Sequence, residues 1–184
     1  EYQYDPLRRL RTILADGGGA VASYAYAGPG REGARTLGNG VTVAAAYDAS
    51  RRLTGIDATS GGAPVVRFDR AYDQAGNPRG DGDGFFNDGQ AYGYDSAYRL
   101  TAALYGLPAA AVAGLANNET TNADVLALFS QAEKTVEYAL DGVGNFREVT
   151  TTTAGVPVTD YRNVGALNEY LTAEGAAHTY DAAG

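Results

Sequence analysis

The sequence predicts an all-β protein: tandem antiparallel β-hairpins forming a curved or spiralling continuous sheet, with one short helical insertion. Three observations predict it. An aromatic or apolar residue followed by Asp recurs in phase at Tyr4-Asp5, Tyr47-Asp48, Tyr72-Asp73, Tyr94-Asp95, Leu140-Asp141 and Tyr180-Asp181. The intervals are roughly 20 to 25 residues or about twice that, the period of a repeat array. Glycine and tyrosine are abundant, 25 and 14 of 184 residues, supplying turns and strand-borne rings. Alternation such as Val41-Thr42-Val43 directly after Asn39-Gly40 is a strong short-range hairpin signal.

Each unit can be justified in order. Tyr2-Gln3-Tyr4 and Tyr92-Gly93-Tyr94 place two rings on one strand face, because side chains alternate with period two. The Asp that follows can bond its own downstream backbone in an Asx turn, and the chain reverses. Two sub-types continue from there. Asp5, Asp48 and Asp95 are followed at the fourth and fifth positions by Arg9-Leu10, Arg52-Leu53 and Arg99-Leu100. Asp73 and Asp141 are followed by Gly76-Asn77 and Gly144-Asn145, and Asp181 by Gly184. After the first sub-type, alternation sends Leu to the apolar face, and Arg and the following Thr54 or Thr101 to the wet one. Second turns at Asp16 to Gly19, Gly38 to Gly40 and Ser60 to Gly62 return the chain. Degenerate units are expected where the interval doubles, at Tyr24 to Ala27 and at Tyr161-Arg162-Asn163, where Asn163 stands in for Asp. The Tyr rings are expected to ladder against those of neighbouring hairpins.

Residues 108 to 134 break the pattern with an Ala-rich insertion. Thr121 and Asn122 are N-cap candidates, with Asp124 completing an approximate capping box. Val125, Leu128, Phe129 and Ala132 share one helical face, which predicts a helix from Asn122 to Lys134 packed on the sheet, or serving as a plug or partner-binding helix. A shorter helical turn is expected between Pro108 and Gly114.

Composition excludes much chemistry. There is no Cys, and the only His is His178, so disulfides, thiolate sites and multi-histidine metal centres are excluded. A net charge of -8 and a pI near 4.5 oppose nucleic-acid binding, which relies on Lys and Arg. The longest apolar run, Leu107 to Ala116, is well short of the roughly 20 residues of a membrane span. Asp81, Asp83 and Asp88 invite a calcium reading, but the spacing departs from an EF-hand loop and an acidic turn accounts for them. His178 reads as a strand residue. The acidic residues recur as turn residues and offer no acid–base pair, so no catalytic residue, metal or cofactor is expected.

The segments Glu1 to Leu10, Gly38 to Thr54, Tyr92 to Thr101 and Tyr180 to Gly184 resemble the YD repeat of RHS-repeat proteins. The resemblance implies a single array over residues 1 to 184, of about eight units, in a strip that spirals into a hollow shell. In bacterial members of the family such shells enclose a C-terminal toxin or effector, and in teneurins a similar barrel serves cell-surface adhesion. Asp5-Pro6 is an ordinary turn, so the family's self-cleavage is not carried over. The expectation is a non-catalytic scaffold, secreted or at the cell surface. The alternatives are an adhesion or carbohydrate-binding module, or a self-assembling extracellular fibre subunit. Expected partners are further repeats or neighbouring copies through open hairpin edges, a protein cargo, or cell-surface glycans. Both Asp5 and Asp181 lie near chain ends, which suggests a portion of a longer array.

Overall fold

The computed structural model describes residues 1–115, 117, 119–165, 168–173 and 175–177. The repeat residues Tyr180 and Asp181, together with His178 and Gly184, lie outside them. Thirteen strands follow one another in a single antiparallel sheet: β1 (Tyr2–Tyr4), β2 (Leu10–Leu14), β3 (Ala20–Ala27), β4 (Arg31–Leu37), β5 (Val41–Tyr47), β6 (Leu53–Ser60), β7 (Ala63–Tyr72), β8 (Pro78–Asp83), β9 (Asp88–Tyr94), β10 (Leu100–Leu107), β11 (Lys134–Leu140), β12 (Phe146–Thr153) and β13 (Val156–Tyr161). A three-stranded sheet follows, from β14 (Asn163–Val164), β15 (Tyr170–Ala173) and β16 (Ala176–Ala177). Each strand pairs with its chain neighbour, so all pairing is between consecutive hairpins.

Consecutive pairing puts every Asp turn at one long edge of the strip and every return loop at the other. The turn edge carries 5–9, 28–30, 48–52, 73–77, 95–99 and 141–145. The Asn39-Gly40 turn joins β4 to β5, with Gly40 at φ +85° and its N–H donating to the Leu37 carbonyl at 2.9 Å.

The alternation expected after each Asp turn is interrupted. Tyr47 pairs with Leu53 and Ala46 with Gly55, leaving Thr54 extra; in the same way Arg79 is extra between Pro78 and Gly80, and Thr101 between Leu100 and Ala102. A β-bulge therefore recurs at the sixth position after the Asp, and at Arg79 it accompanies a side chain aimed at the turn.

The insertion leaves β10 at Leu107 and packs on one face of β8 to β10. It holds helix α1 (Ala109–Ala113), helix α2 (Asn122–Leu126) and a 3₁₀ turn at Phe129–Gln131. The single helix expected from Asn122 to Lys134 is thus broken, and Lys134 is already in β11. The cause is tertiary. Leu128, Phe129 and Ala132 stay packed on the core, while Glu133 must return to donate its N–H to the Tyr105 carbonyl at 3.0 Å. The Thr121 cap is as expected: its side chain accepts from the Asp124 N–H, and Asp124 accepts in return from the Thr121 N–H at 2.7 Å.

This insertion builds the buried core. Ala91, Ala102, Leu104, Leu107, Val112 and Val125 form it, with Leu104, Leu107 and Val125 fully buried. Each such Leu or Val contributes about 1.5–3 kcal/mol by leaving water. The Gly80 to Gly89 stretch, read from sequence as an acidic turn, is mostly strand: β8 and β9 pair Gly82 with Gly89, and residues 84–87 alone form the turn. Its glycines make room for the insertion. A Cβ on Gly89 would stand 2.6 Å from Val112, and one on Gly80 2.9 Å from Val112 and 2.8 Å from Leu115.

Candidate functional site: the aspartate-turn edge

At each Asp turn the carboxylate organises the reversal. In turn 48–52 the Arg51 N–H donates to the Asp48 carbonyl at 2.9 Å and the Asp48 N–H to the Arg52 carbonyl at 3.0 Å. Asp48 Oδ1 accepts from the Arg52 N–H at 2.8 Å. The same bond forms at Arg9, Asn77, Arg99 and Asn145, each at 2.9 Å. The short Asp side chain reaches these amides from within its own turn. The third residue after Asp is left-handed throughout. Gly76 and Gly144 fill it in one sub-type; in the other it is Arg8, Arg51 and Tyr98, at φ +59°, +69° and +61°.

The second carboxylate oxygen holds the next link. Asp5, Asp48 and Asp95 accept from the Nε of Arg9, Arg52 and Arg99 at 2.7, 2.7 and 2.6 Å. These arginines are therefore not turned to water as alternation predicted. Their guanidinium groups reach across to the following turn, where Arg9 Nη1 donates to the Gly28 carbonyl at 2.7 Å, Arg52 Nη1 to Asp73 at 3.0 Å and Arg99 Nη1 to Asp141 at 2.9 Å. Arg9 lies 4.3 Å above the Tyr26 ring and Arg52 4.4 Å above Tyr72.

The expected Tyr-on-Tyr ladder is accordingly an Arg-on-Tyr ladder. Arg31 covers Tyr47 and Arg79 covers Tyr94, each at 5.0 Å. A planar cation matches the negative ring face, which an eclipsed second ring would not. Tyr4 lies on β1 and is 60% exposed. Where Asn77 and Asn145 replace Arg, their Nδ2 bonds the carboxylate at 2.9 Å instead. Arg79, the bulge residue, then supplies the missing guanidinium, 3.2 Å from Asp73. Sequence reasoning missed Arg79; the signal was an Arg six residues after an Asp whose fourth position is Asn.

These contacts hold the carboxyls below the ordinary value of 3.8. At Asp5 and Asp95 the backbone N–H of Arg9 or Arg99 is the largest cause, and at Asp141 the Asn145 side chain is. At Asp48 and Asp73 burial alone would raise the value. Bonds from Arg52 and from Asn77 outweigh it.

Two insertion residues fasten to this edge. Asn117 accepts from the Tyr72 N–H at 2.8 Å and donates to Asp48 at 3.2 Å. Asn122 accepts from the Tyr94 N–H at 3.0 Å, donates to the Tyr94 carbonyl and receives a bond from Arg79. Both engage backbone beside a bulge, where ladder partners are missing.

The other sequence-read residues do not converge. Asp81 pairs with Arg70, Asp83 accepts from the Phe85 and Phe86 amides at 2.9 and 3.1 Å, and Asp88 faces Asp83 across the β8–β9 ladder. Among the described residues no group of three or more His, Cys, Asp or Glu is placed to hold a metal. Asn163 lies in β14 and not in a turn. The turn of that unit is displaced to Gly165, whose N–H donates to the Glu169 carbonyl at 2.8 Å, with Asn168 left-handed at φ +67°. Among the described residues no helix is long and apolar enough to cross a membrane.

No family model matches the chain, and no curated protein matches it in sequence. Solved structures share the fold. A Photorhabdus luminescens Tc holotoxin pore carrying a mutated TccC3 matches over 96% of this chain at 19% identity, with a TM-score of 0.58. The TcdB2-TccC3 complex matches over 89% at 19% identity and a TM-score of 0.56. A TcdB2-TccC3-TEV structure matches over 89% at 19% identity and a TM-score of 0.55. The chain spans 9% of the length of each of these chains. The hairpin strip expected from the recurring aromatic-Asp motif is thus a fold that also occurs within Tc toxin complexes.

Proposed function

We propose that this chain is a stretch of the wall of a hollow RHS-type shell, with a non-catalytic enclosing role, secreted or at the cell surface, and a protein cargo inside. The observation that carries the reading is the guanidinium relay along the Asp-turn edge. Arg9, Arg52 and Arg99 each tie one turn to the next by a charge-assisted bond, and at Arg9 and Arg52 an Arg–Tyr stack joins it, so these links stiffen the strip. The likeness to Tc toxin complexes supports the same reading at the level of fold.

The rings that an adhesin or glycan binder would present are largely in use. Tyr26, Tyr47, Tyr72 and Tyr94 lie under guanidinium groups, and the exposed Tyr2, Tyr4, Tyr98 and Tyr161 are spread over β1, the 95–99 turn and β13 and form no contiguous stripe along one strand face. Cryo-electron microscopy of the protein that carries this segment tests the proposal. The expected result is that the thirteen strands form part of one closed wall around a lumen. A free-standing sheet on a linker, or specific retention of the chain on a glycan array, overturns it.

A further inference from the structure

The Asp-turn edge holds one cleft whose charges do not balance. It opens between turns 73–77 and 95–99 with a volume of about 450 Å³, and Gln74, Ser96 and Tyr98 on its walls are exposed. Three carboxylates and one guanidinium line it. Two of the carboxylates are already held, Asp73 by Arg79 at 3.2 Å and Asp95 by Arg99 at 2.6 Å. The third, on Glu119, is exposed and has no ion-pair partner among the described residues. A second hollow of about 240 Å³ adjoins the first at Glu119 and Thr120 and adds Asp124. The Asp124 carboxylate accepts from the Thr121 N–H and hydroxyl but meets no cation among the described residues. The two hollows make one trough with two carboxylates unneutralised.

Elsewhere the chain shows what a tyrosine ring and a carboxylate take between them. Arg9 bonds Asp5 and lies on Tyr26, Arg52 bonds Asp48 and lies on Tyr72, and Arg79 pairs with Asp73 and lies on Tyr94. In each, one planar cation meets a charge-assisted acceptor and a ring face together. Tyr98, 62% exposed, is a ring with no guanidinium over it among the described residues, in the same cleft as a carboxylate that also lacks one. The wider field agrees. Residues 61–184 carry 16 of the 22 Asp and Glu but only 7 of the 14 Lys and Arg, so the part of the chain that bears the trough attracts cations.

We infer that this trough binds an arginine-bearing peptide segment of a partner protein. One guanidinium seats against Tyr98 and Glu119, a second basic side chain reaches Asp124, and Gln74 and Ser96 offer hydrogen bonds to the peptide backbone. Arginine suits the site better than lysine, because a planar group can cover the ring while its edge donates to the carboxylate. The site does not depend on the wall reading: a wall segment and a free sheet would present the same trough.

Isothermal titration calorimetry on the full chain at low ionic strength tests it with three probes: a capped tri-arginine peptide, its neutral tri-citrulline counterpart, and spermidine, a cation without a planar group. Tri-arginine is expected to bind one-to-one, about tenfold or more tighter than tri-citrulline and about fivefold tighter than spermidine, and more weakly as salt rises. Glu119→Gln and Tyr98→Gly should each weaken it by about fivefold. Both variants should fold, since Glu119 is exposed and Tyr98 occupies the left-handed turn position that Gly76 and Gly144 fill; circular dichroism will check this. Asp16→Asn removes an exposed charge from a return loop at the opposite edge and should leave binding unchanged. Absence of binding, equal binding of tri-citrulline or spermidine, or a Glu119→Gln or Tyr98→Gly affinity that matches that of Asp16→Asn each overturns the site. All of these leave the wall reading as it stands, because microscopy of the closed wall decides that separately.

Discussion

Arg52 and Asp73 stand 21 positions apart in the chain, yet the Arg52 guanidinium donates to the Asp73 carbonyl at 3.0 Å while its Nε remains bonded to Asp48 at 2.7 Å. One side chain thus closes its own turn, covers the Tyr72 ring and anchors the next turn. That geometry needs a planar cation with donors on two sides. Of the 14 basic residues in the sequence, Lys134 is the sole lysine. A lysine ammonium is a point charge that cannot divide its bonds in this way.

Arg52→Ala is therefore expected to lower stability by about 2–3 kcal/mol, from loss of charge-assisted bonds and the ring stack. Arg52→Lys should recover less than half of that. Urea unfolding of the three proteins measures both, and a lysine variant as stable as the wild type would show that charge alone suffices.

Acid should loosen the strip along one edge. Asp5, Asp48, Asp73, Asp95 and Asp141 all lie below 3.8 in the folded chain. Their stabilisation is complete above about pH 5, and is lost as pH falls below 3.8 through the folded values, where the unfolded chain binds protons more readily. Thermal melts from pH 6 to pH 2 should show the Tm falling steeply only in that acid window. Combining Asp5→Asn, Asp48→Asn and Asp95→Asn should flatten the fall while lowering the Tm at neutral pH.

Gly89→Ala is expected to cost about 1–3 kcal/mol by overpacking, since its Cβ would stand 2.6 Å from Val112 and 3.2 Å from the Leu107 carbonyl. Adding Val112→Ala should return part of the loss, because the two substitutions share one space. A double-mutant cycle reads the coupling, and strict additivity would mean that α1 does not rest on Gly89.

Removing Asn122 should act through the backbone it serves. Asn122→Ala leaves the Tyr94 N–H and carbonyl beside the bulge without their partner and frees one bond of Arg79. The expected loss is about 1–3 kcal/mol, from unsatisfied groups more than from the lost bonds themselves. Hydrogen exchange at Tyr94 should accelerate well beyond that at Tyr47, whose backbone bonds no insertion residue among the described residues.

Arg51→Gly should leave stability unchanged or raise it by about 0.5 kcal/mol, since relief of the left-handed backbone slightly exceeds the added freedom of the unfolded chain. Calorimetry that shows a loss above 1 kcal/mol would mean that the Arg51 side chain makes a stabilising contact in the folded chain.

The hairpins, their order and the Asp turns were legible in the sequence because their causes are local. An Asp bonds amides two and four residues on, strands alternate with period two, and Asn39-Gly40 reverses the chain within a few bonds. The Asp to Arg spacing was visible too, though not its consequence: local alternation sent Arg9, Arg52 and Arg99 to water, and the carboxylate of their own turn with a carbonyl of the next turn took them back. Tertiary structure alone decided the rest. Asn122 meets Tyr94 across 28 positions and Arg79 across 43, Asn117 meets Asp48 across 69, and the glycines of β8 and β9 have their purpose in Val112 of another element. The helix read over residues 122 to 134 broke for the same reason: its apolar period was real, but the return to β10 at Tyr105 outweighed the local preference. Turn chemistry is set by neighbours in the chain, whereas the buried face of a strip is set by whatever the fold lays over it, and no local pattern records that.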